Sequence, residues 1–136
     1  MQTLLIVEDN EHQRYLYRQE LEQCGYTVLA AGSGEEAIAM TGTVHVDLIV
    51  MDICMPGMDG IETLERLLAV NRKMPVILHT AYSNYKDNFM CWSAERYVVK
   101  SSDLTDLKDA IAEVLANRAS EAARQQTDLT TDEVHA

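Results

Sequence analysis

Cysteine is scarce and forms no pattern. Cys24, Cys54 and Cys91 are an odd number, and none sits in a CxxC spacing. That excludes a disulfide framework and a cysteine-based zinc site, and points to reduced thiols in a cytosolic protein. Basic residues are also few. Eleven Lys and Arg stand against 22 Asp and Glu, a formal charge of -11. Direct nucleic-acid binding rests on phosphate neutralisation by Lys and Arg, so it is not expected. A metal cation or a basic partner surface is compatible with the same balance. No apolar run approaches the length of a transmembrane helix. The N-terminus has no basic segment leading into a signal-type apolar stretch. The expectation is a soluble, cytoplasmic protein that makes no use of a membrane. What the chain does have is core-forming material. Hydrophobic residues make up 47% of 136 positions, which argues against disorder and suits one domain rather than two.

Short apolar runs alternate with helix-like segments, the pattern of βαβ units around a parallel sheet. Leu4 to Val7 reads as the first strand and Glu11 to Cys24 as a helix stopped by Gly25. Tyr26 to Ala31 reads as the second strand. Ser33 can cap a short helix ending near Gly42, with Glu36 as the capping-box partner. Val46 to Met51 is apolar almost throughout, as a strand buried on both faces should be. A loop from Asp52 to Gly60 leads into a helix to about Asn71, with Ile61, Leu64, Leu67 and Leu68 on one face. Pro75 opens the fourth strand, residues 83 to 94 read as a fourth helix, and Tyr97 to Val99 is a short fifth strand. Asp103 is placed as an N-cap for a last helix with a stripe of Leu104, Leu107, Ile111, Val114 and Leu115. The stripe ends before residue 124. The chain therefore divides into a domain over 1–120 and a polar tail over 121–136, the end of the last helix followed by a flexible segment.

Chemistry-bearing residues cluster where the apolar runs end. Leu4-Leu5-Ile6-Val7 runs into Glu8-Asp9, Leu48-Ile49-Val50-Met51 into Asp52, Val76-Ile77-Leu78 into His79-Thr80, and Tyr97-Val98-Val99 into Lys100. In a parallel α/β sheet, ligands bind outside the carboxyl ends of the strands. If these runs are neighbouring strands, three acids, a hydroxyl and an ammonium converge at one edge. Three clustered carboxylates repel one another unless a cation joins them. Magnesium suits them because it takes oxygen ligands and keeps several waters. Asp52 is then the candidate nucleophile, since a carboxylate can attack phosphorus and hold the phosphoryl group as a mixed anhydride. The remaining work is positioning and charge neutralisation on the equatorial oxygens, for which the cation, Lys100 and Thr80 are suited. The bland readings are a strand-end turn with an N-cap at Glu8-Asp9, a surface lysine and a turn threonine. Their coincidence at matching strand ends argues against them. His79 reads as a packed strand-end residue.

The segment Met51-Asp52-Ile53-Cys54-Met55-Pro56-Gly57-Met58-Asp59-Gly60 resembles the phosphoacceptor loop of response-regulator receiver domains. Leu5-Ile6-Val7-Glu8-Asp9-Asn10 resembles their first strand and acidic pair, Thr80-Ala81 their switch hydroxyl, and Tyr97-Val98-Val99-Lys100 their switch aromatic and lysine. The likeness covers about residues 3 to 118. It implies a (βα)5 flavodoxin-like receiver fold, an α/β architecture of five parallel strands in the order 2-1-3-4-5 flanked by five helices. That order belongs to the known fold and is carried over with the resemblance. The resemblance further implies that Asp52 accepts a phosphoryl group from a sensor histidine kinase or a histidine phosphotransfer protein. Asp9 and Asp52 would bind Mg2+ directly, Glu8 through water, and the backbone carbonyl of Cys54 would be a further ligand, with Mn2+ as the alternative metal. Lys100 would contact the phosphoryl group, Thr80 would move towards it, and Tyr97 would turn inward behind Thr80. Such a domain is a signalling switch that catalyses only its own phosphorylation and dephosphorylation. Its output would be a downstream protein or a homodimer, engaged through the face of the fourth helix, fifth strand and fifth helix.

Alternatives stand beside the stand-alone switch: a receiver cut from a longer DNA-binding regulator or hybrid kinase, a degenerate non-phosphorylated module, and an aspartyl phosphatase. The phosphatase would place a second acid two residues after the nucleophile, where this chain has Cys54. The family usually has a cis-linked proline after the lysine, whereas this chain has Lys100-Ser101. A non-proline cis bond costs roughly 2.5–4 kcal/mol, so a trans bond and a reshaped loop are expected. Tyr82, Tyr85, Phe89 and Trp92 recur at spacings of three and four, which reads as core packing or, alternatively, as an aromatic partner surface. Tyr82 and Cys54 occupy the positions that flank the path of hydrolytic water in this family. A bulky Tyr82 should shield the anhydride, so a Tyr82→Glu variant is expected to lose its phosphoryl group faster than the parent. Equal decay rates of the two phosphoproteins would remove that role.

Overall fold

The computed structural model describes residues 1–53, 60–81 and 94–135, with side chains described as far as residue 124. Five strands form one parallel sheet: β1 Thr3–Val7, β2 Thr27–Ala31, β3 Leu48–Met51, β4 Val76–Thr80 and β5 Arg96–Val99. Their spatial order is β2-β1-β3-β4-β5. Four helices accompany them among the described residues: α1 Glu11–Gln23, α2 Gly34–Thr41, α3 Gly60–Val70 and α4 Thr105–His135. The expected helix over 83 to 94 falls outside the described residues except for Ala94, which lies in a bend. Pro56, Gly57, Cys54, Cys91, Tyr82, Tyr85, Phe89 and Trp92 also lie outside them.

The strands are apolar in runs because both faces of the sheet are covered. Successive side chains alternate between faces. Leu5, Val7, Ile49, Met51, Val76 and Leu78 share one core with Ala37 of α2 and Leu64 and Leu67 of α3. Leu4, Ile6, Leu48, Val50 and Ile77 share the other with Tyr17 and Leu21 of α1 and Leu107, Ile111 and Val114 of α4. Each buried Leu or Ile contributes about 1.5–3 kcal/mol relative to leaving it exposed. The central strands β1, β3 and β4 therefore form a rigid base for whatever their carboxyl ends carry.

Local chemistry sets the helix ends. Asn10 caps α1 through its side chain to the Gln13 N–H at 3.0 Å. Gly25, with φ of +97°, turns the chain out of α1 into β2, a conformation that glycine adopts without strain. Ser33 caps α2 by accepting from the Glu36 N–H, while the Glu36 carboxylate accepts from the Gly32 N–H, one residue before the cap. Gly60 opens α3 against Ile53: a β-carbon there would lie 2.1 Å from the Ile53 Cα. The Gly60 N–H donates to the Ile53 carbonyl at 2.9 Å, so both ends of the loop after Asp52 are clamped together. Asp103 accepts from the Thr105 N–H at the start of α4.

The last helix does not stop where its apolar stripe stops. It runs through His135, past the tail boundary expected near residue 121. Residues 116–124 are rich in Ala and Arg and hold neither Gly nor Pro, so backbone propensity continues after packing has ended.

Candidate functional site

Four strands deliver the site residues at one edge, and the backbone ladder continues one residue beyond them. The Glu8 N–H donates to the Ala31 carbonyl at 3.0 Å, and the Asp52 N–H to the Val7 carbonyl at 3.1 Å. The Lys100 N–H donates to the Thr80 carbonyl at 2.7 Å. Glu8, Asp52 and Lys100 are thus held as firmly as strand residues although each follows its strand. Val7 pairs with Met51, Met51 with Leu78, and Thr80 with Val99. That register puts Glu8 beside Asp52 and carries Lys100 across to them.

The side chains meet closely. The Lys100 Nζ donates to Glu8 Oε1 at 2.5 Å, Gln13 Oε1 at 2.6 Å and Asp52 Oδ2 at 2.9 Å. Glu8 and Asp52 are buried, at 2% and 8% exposure, and Thr80 is fully buried. Asp9 is exposed on the loop that leads into α1. Glu8, Asp9 and Asp52 each bring a carboxylate oxygen within 4.8 Å of the others. Three hard oxygen donors so close together suit a cation such as Mg2+ that keeps waters in its remaining positions. The Cys54 carbonyl lies outside the described residues.

Burial and charge oppose each other here. Desolvation pushes the Glu8 carboxyl above its ordinary value, although the Lys100 hydrogen bond and charge pull it back. For Lys100 burial favours the neutral amine, but hydrogen bonds to Glu8 and Asp52 and the charge of both outweigh it and raise its pKa. The ammonium is therefore a permanent positive charge across the two buried acids. His79 takes the opposite course. It is buried, its ring centroid lies 5.1 Å from that of Tyr17, and burial followed by the Lys100 charge lowers its pKa to about 4. It is a neutral packed ring, as its strand-end position suggested.

Glu8, Asp9, Asp52, Thr80 and Lys100 lie at the carboxyl ends of their strands. Tyr97, half-buried on β5, packs against the core that holds Leu78. The Lys100–Ser101 peptide is trans, and Lys100 nonetheless reaches Asp52. Two residues carried no signal in the strand pattern. Gln13 reaches Lys100 from the first turn of α1, and the Arg14 Nη1 donates to the Glu8 carbonyl at 2.8 Å. Only their place one turn after the acidic pair, at the start of a helix facing the same edge, marks them.

The family model of the response regulator receiver domain matches residues 4–112. The alkaline phosphatase synthesis transcriptional regulatory protein PhoP of Bacillus subtilis strain 168 is 31% identical over 133 residues, covering 96% of this chain and 55% of PhoP. The regulatory protein AtoC of Escherichia coli K12 is 33% identical over 107 residues, 76% of this chain and 23% of AtoC. The chain thus spans about half or less of these curated relatives. Among solved structures, the response regulator TrrA of Thermotoga maritima in complex with Mg2+-BeF is similar at a TM-score of 0.81 and 35% identity, over 83% of this chain and 98% of that one. TrrA in complex with the histidine kinase ThkA is similar at 0.80 and 36% identity, over 85% and 99%.

The neutral His79 makes stability depend on pH. Its pKa is lower in the fold than in the unfolded chain, so the unfolded state gains protons first and stability falls as pH drops from about 6.5 to about 4. The size is roughly 3 kcal/mol over that window. Urea unfolding at both pH values should show the parent losing more stability than a His79→Leu variant by about that amount. Parallel losses would mean that His79 is protonated in the fold.

Proposed function

The chain belongs to the response regulator receiver family, and we propose that it is a phosphorylation-dependent switch with Asp52 as phosphoacceptor. The observation that carries this reading is the Lys100 ammonium 2.9 Å from Asp52 Oδ2, with oxygens of Glu8, Asp9 and Asp52 mutually within 4.8 Å. The donor is a phosphohistidine on a sensor kinase or a phosphotransfer protein. A carboxylate oxygen of Asp52 attacks phosphorus, the P–N bond to the donor imidazole breaks, and its electron pair leaves with that ring. Lys100 turns from Asp52 to an oxygen of the transferred group, and the Thr80 hydroxyl donates to another. Glu8, Asp9 and Asp52 are the residues that would hold Mg2+, and a bound cation would supply positive charge to offset that of the phosphoryl oxygens. The same residues return the anhydride to carboxylate and phosphate when water attacks, so the chain acts only on itself.

The switch is a change of local charge read by the end of the sheet. A doubly charged group on Asp52 draws Thr80 at the end of β4, and Tyr97 on the neighbouring β5 follows into the space behind it. The face that includes β5 and the last helix then selects a protein partner or a second copy. Residues 1–120 carry the switch, and the last helix continues beyond them as far as His135. No helix among the described residues is long and apolar enough to cross a membrane, and we place the chain in the cytoplasm with its donor.

Incubation with acetyl phosphate and Mg2+, followed by intact-protein mass measurement, tests the acceptor. The parent gains one phosphoryl group, while Asp52→Asn and a chelator-treated parent gain none. Equal gain by Asp52→Asn would place the acceptor elsewhere.

A further inference from the structure

We propose that Gln13 is the positioning residue for Lys100: its side-chain carbonyl holds the ammonium in place when the carboxylates are engaged by a cation. The inference rests on the reading of Asp52 and Lys100 just given. An ammonium has three N–H donors and no acceptor. Lys100 meets three acceptors, Glu8 Oε1, Gln13 Oε1 and Asp52 Oδ2, at 2.5, 2.6 and 2.9 Å. Two of the three belong to the carboxylate cluster suited to a metal. A cation there competes with Lys100 for the same two carboxylates. Gln13 is neutral and lies outside that cluster, so its bond to Lys100 survives the competition.

Gln13 is itself held from three directions. Its backbone N–H donates to the Asn10 side chain at 3.0 Å. Its Oε1 accepts from the Tyr17 hydroxyl at 3.1 Å as well as from Lys100. Because Lys100 can only donate, the amide must present its oxygen, and Tyr17 then locks that orientation. Gln13 and Tyr17 stand four residues apart on one face of α1. Tyr17 is buried, with its ring packed against His79 and 5.9 Å from the Lys100 Nζ. A long flexible side chain is thereby aimed from a helix as well as from the acids it serves. Positioning of this kind acts on the rate by holding the charge where it is needed.

The test compares the parent with Gln13→Met, which keeps length and helix propensity without a comparable acceptor, and with Gln13→Glu, which keeps the acceptor. Nitrogen-edited NMR of the lysine ammonium groups, assigned with Lys100→Ala, is recorded without and with saturating Mg2+. In the parent a protected Lys100 signal persists in Mg2+. In Gln13→Met it is present without metal and lost with it. Loss of the signal in the Mg2+-bound parent, or its survival in Mg2+-bound Gln13→Met, overturns the proposal. The second arm is the rate of phosphoryl uptake from acetyl phosphate at saturating Mg2+. It falls about tenfold in Gln13→Met, as expected for losing a hydrogen bond to a charged group. Gln13→Glu retains most of the rate. In a Lys100→Ala background Gln13→Met has no further effect. An equal fractional loss with and without Lys100 would assign Gln13 a purely structural role. A parent that takes up no phosphoryl group refutes the acceptor reading alone, and the NMR arm still decides the role of Gln13.

Discussion

The site depends on one ammonium set across two buried acids. Glu8 and Asp52 stand one residue beyond β1 and β3 with almost no exposure. Burial by itself pushes the Glu8 carboxyl above its ordinary value. Lys100, delivered from β5, supplies the opposing charge and three hydrogen bonds. Breaking such a buried pair by removing one partner leaves an uncompensated charge, which is why these positions are coupled rather than independent. The sheet makes the arrangement stiff. Apolar residues on both faces of β1, β3 and β4 fix the strands, and backbone bonds beyond their ends fix the acids.

In the proposed function that same arrangement would turn a phosphoryl group on Asp52 into a signal. The cluster is balanced between negative oxygens and one permanent cation, so adding a charged group at Asp52 unsettles every member. Lys100 and Thr80 are joined through the backbone by the bond between β4 and β5. A displacement at Thr80 would pass to β5, an outer strand of the sheet that carries the half-buried Tyr97. A partner that prefers one position of this edge would read the state of Asp52.

Most of the fold was legible in the sequence because burial on both faces writes itself as continuous apolar runs. Leu4 to Val7, Leu48 to Met51 and Val76 to Leu78 lie in the strands they suggested. Val46 is buried yet precedes β3, since apolar character reports burial and not strand pairing. The acids, Thr80 and Lys100 were legible because each follows such a run. Gln13 and Arg14 were not, for polar residues on a helix otherwise read as a solvated face, and only the tertiary placement of α1 turns them to the site. The end of α4 was not legible because an apolar stripe measures packing, whereas Ala-rich residues continue a helix without it.

In the proposed function Asp52 offers its carboxylate to a phosphoryl group in a pocket completed by a divalent cation and Lys100. Fluorine NMR of the protein with Mg2+ and beryllium fluoride, a mimic of the phosphoryl group, tests it most directly. A bound fluoroberyllate signal that requires Mg2+, disappears in Asp52→Asn and weakens in Lys100→Ala is the predicted result. No bound signal from the folded parent, or an equal signal from Asp52→Asn, would contradict it.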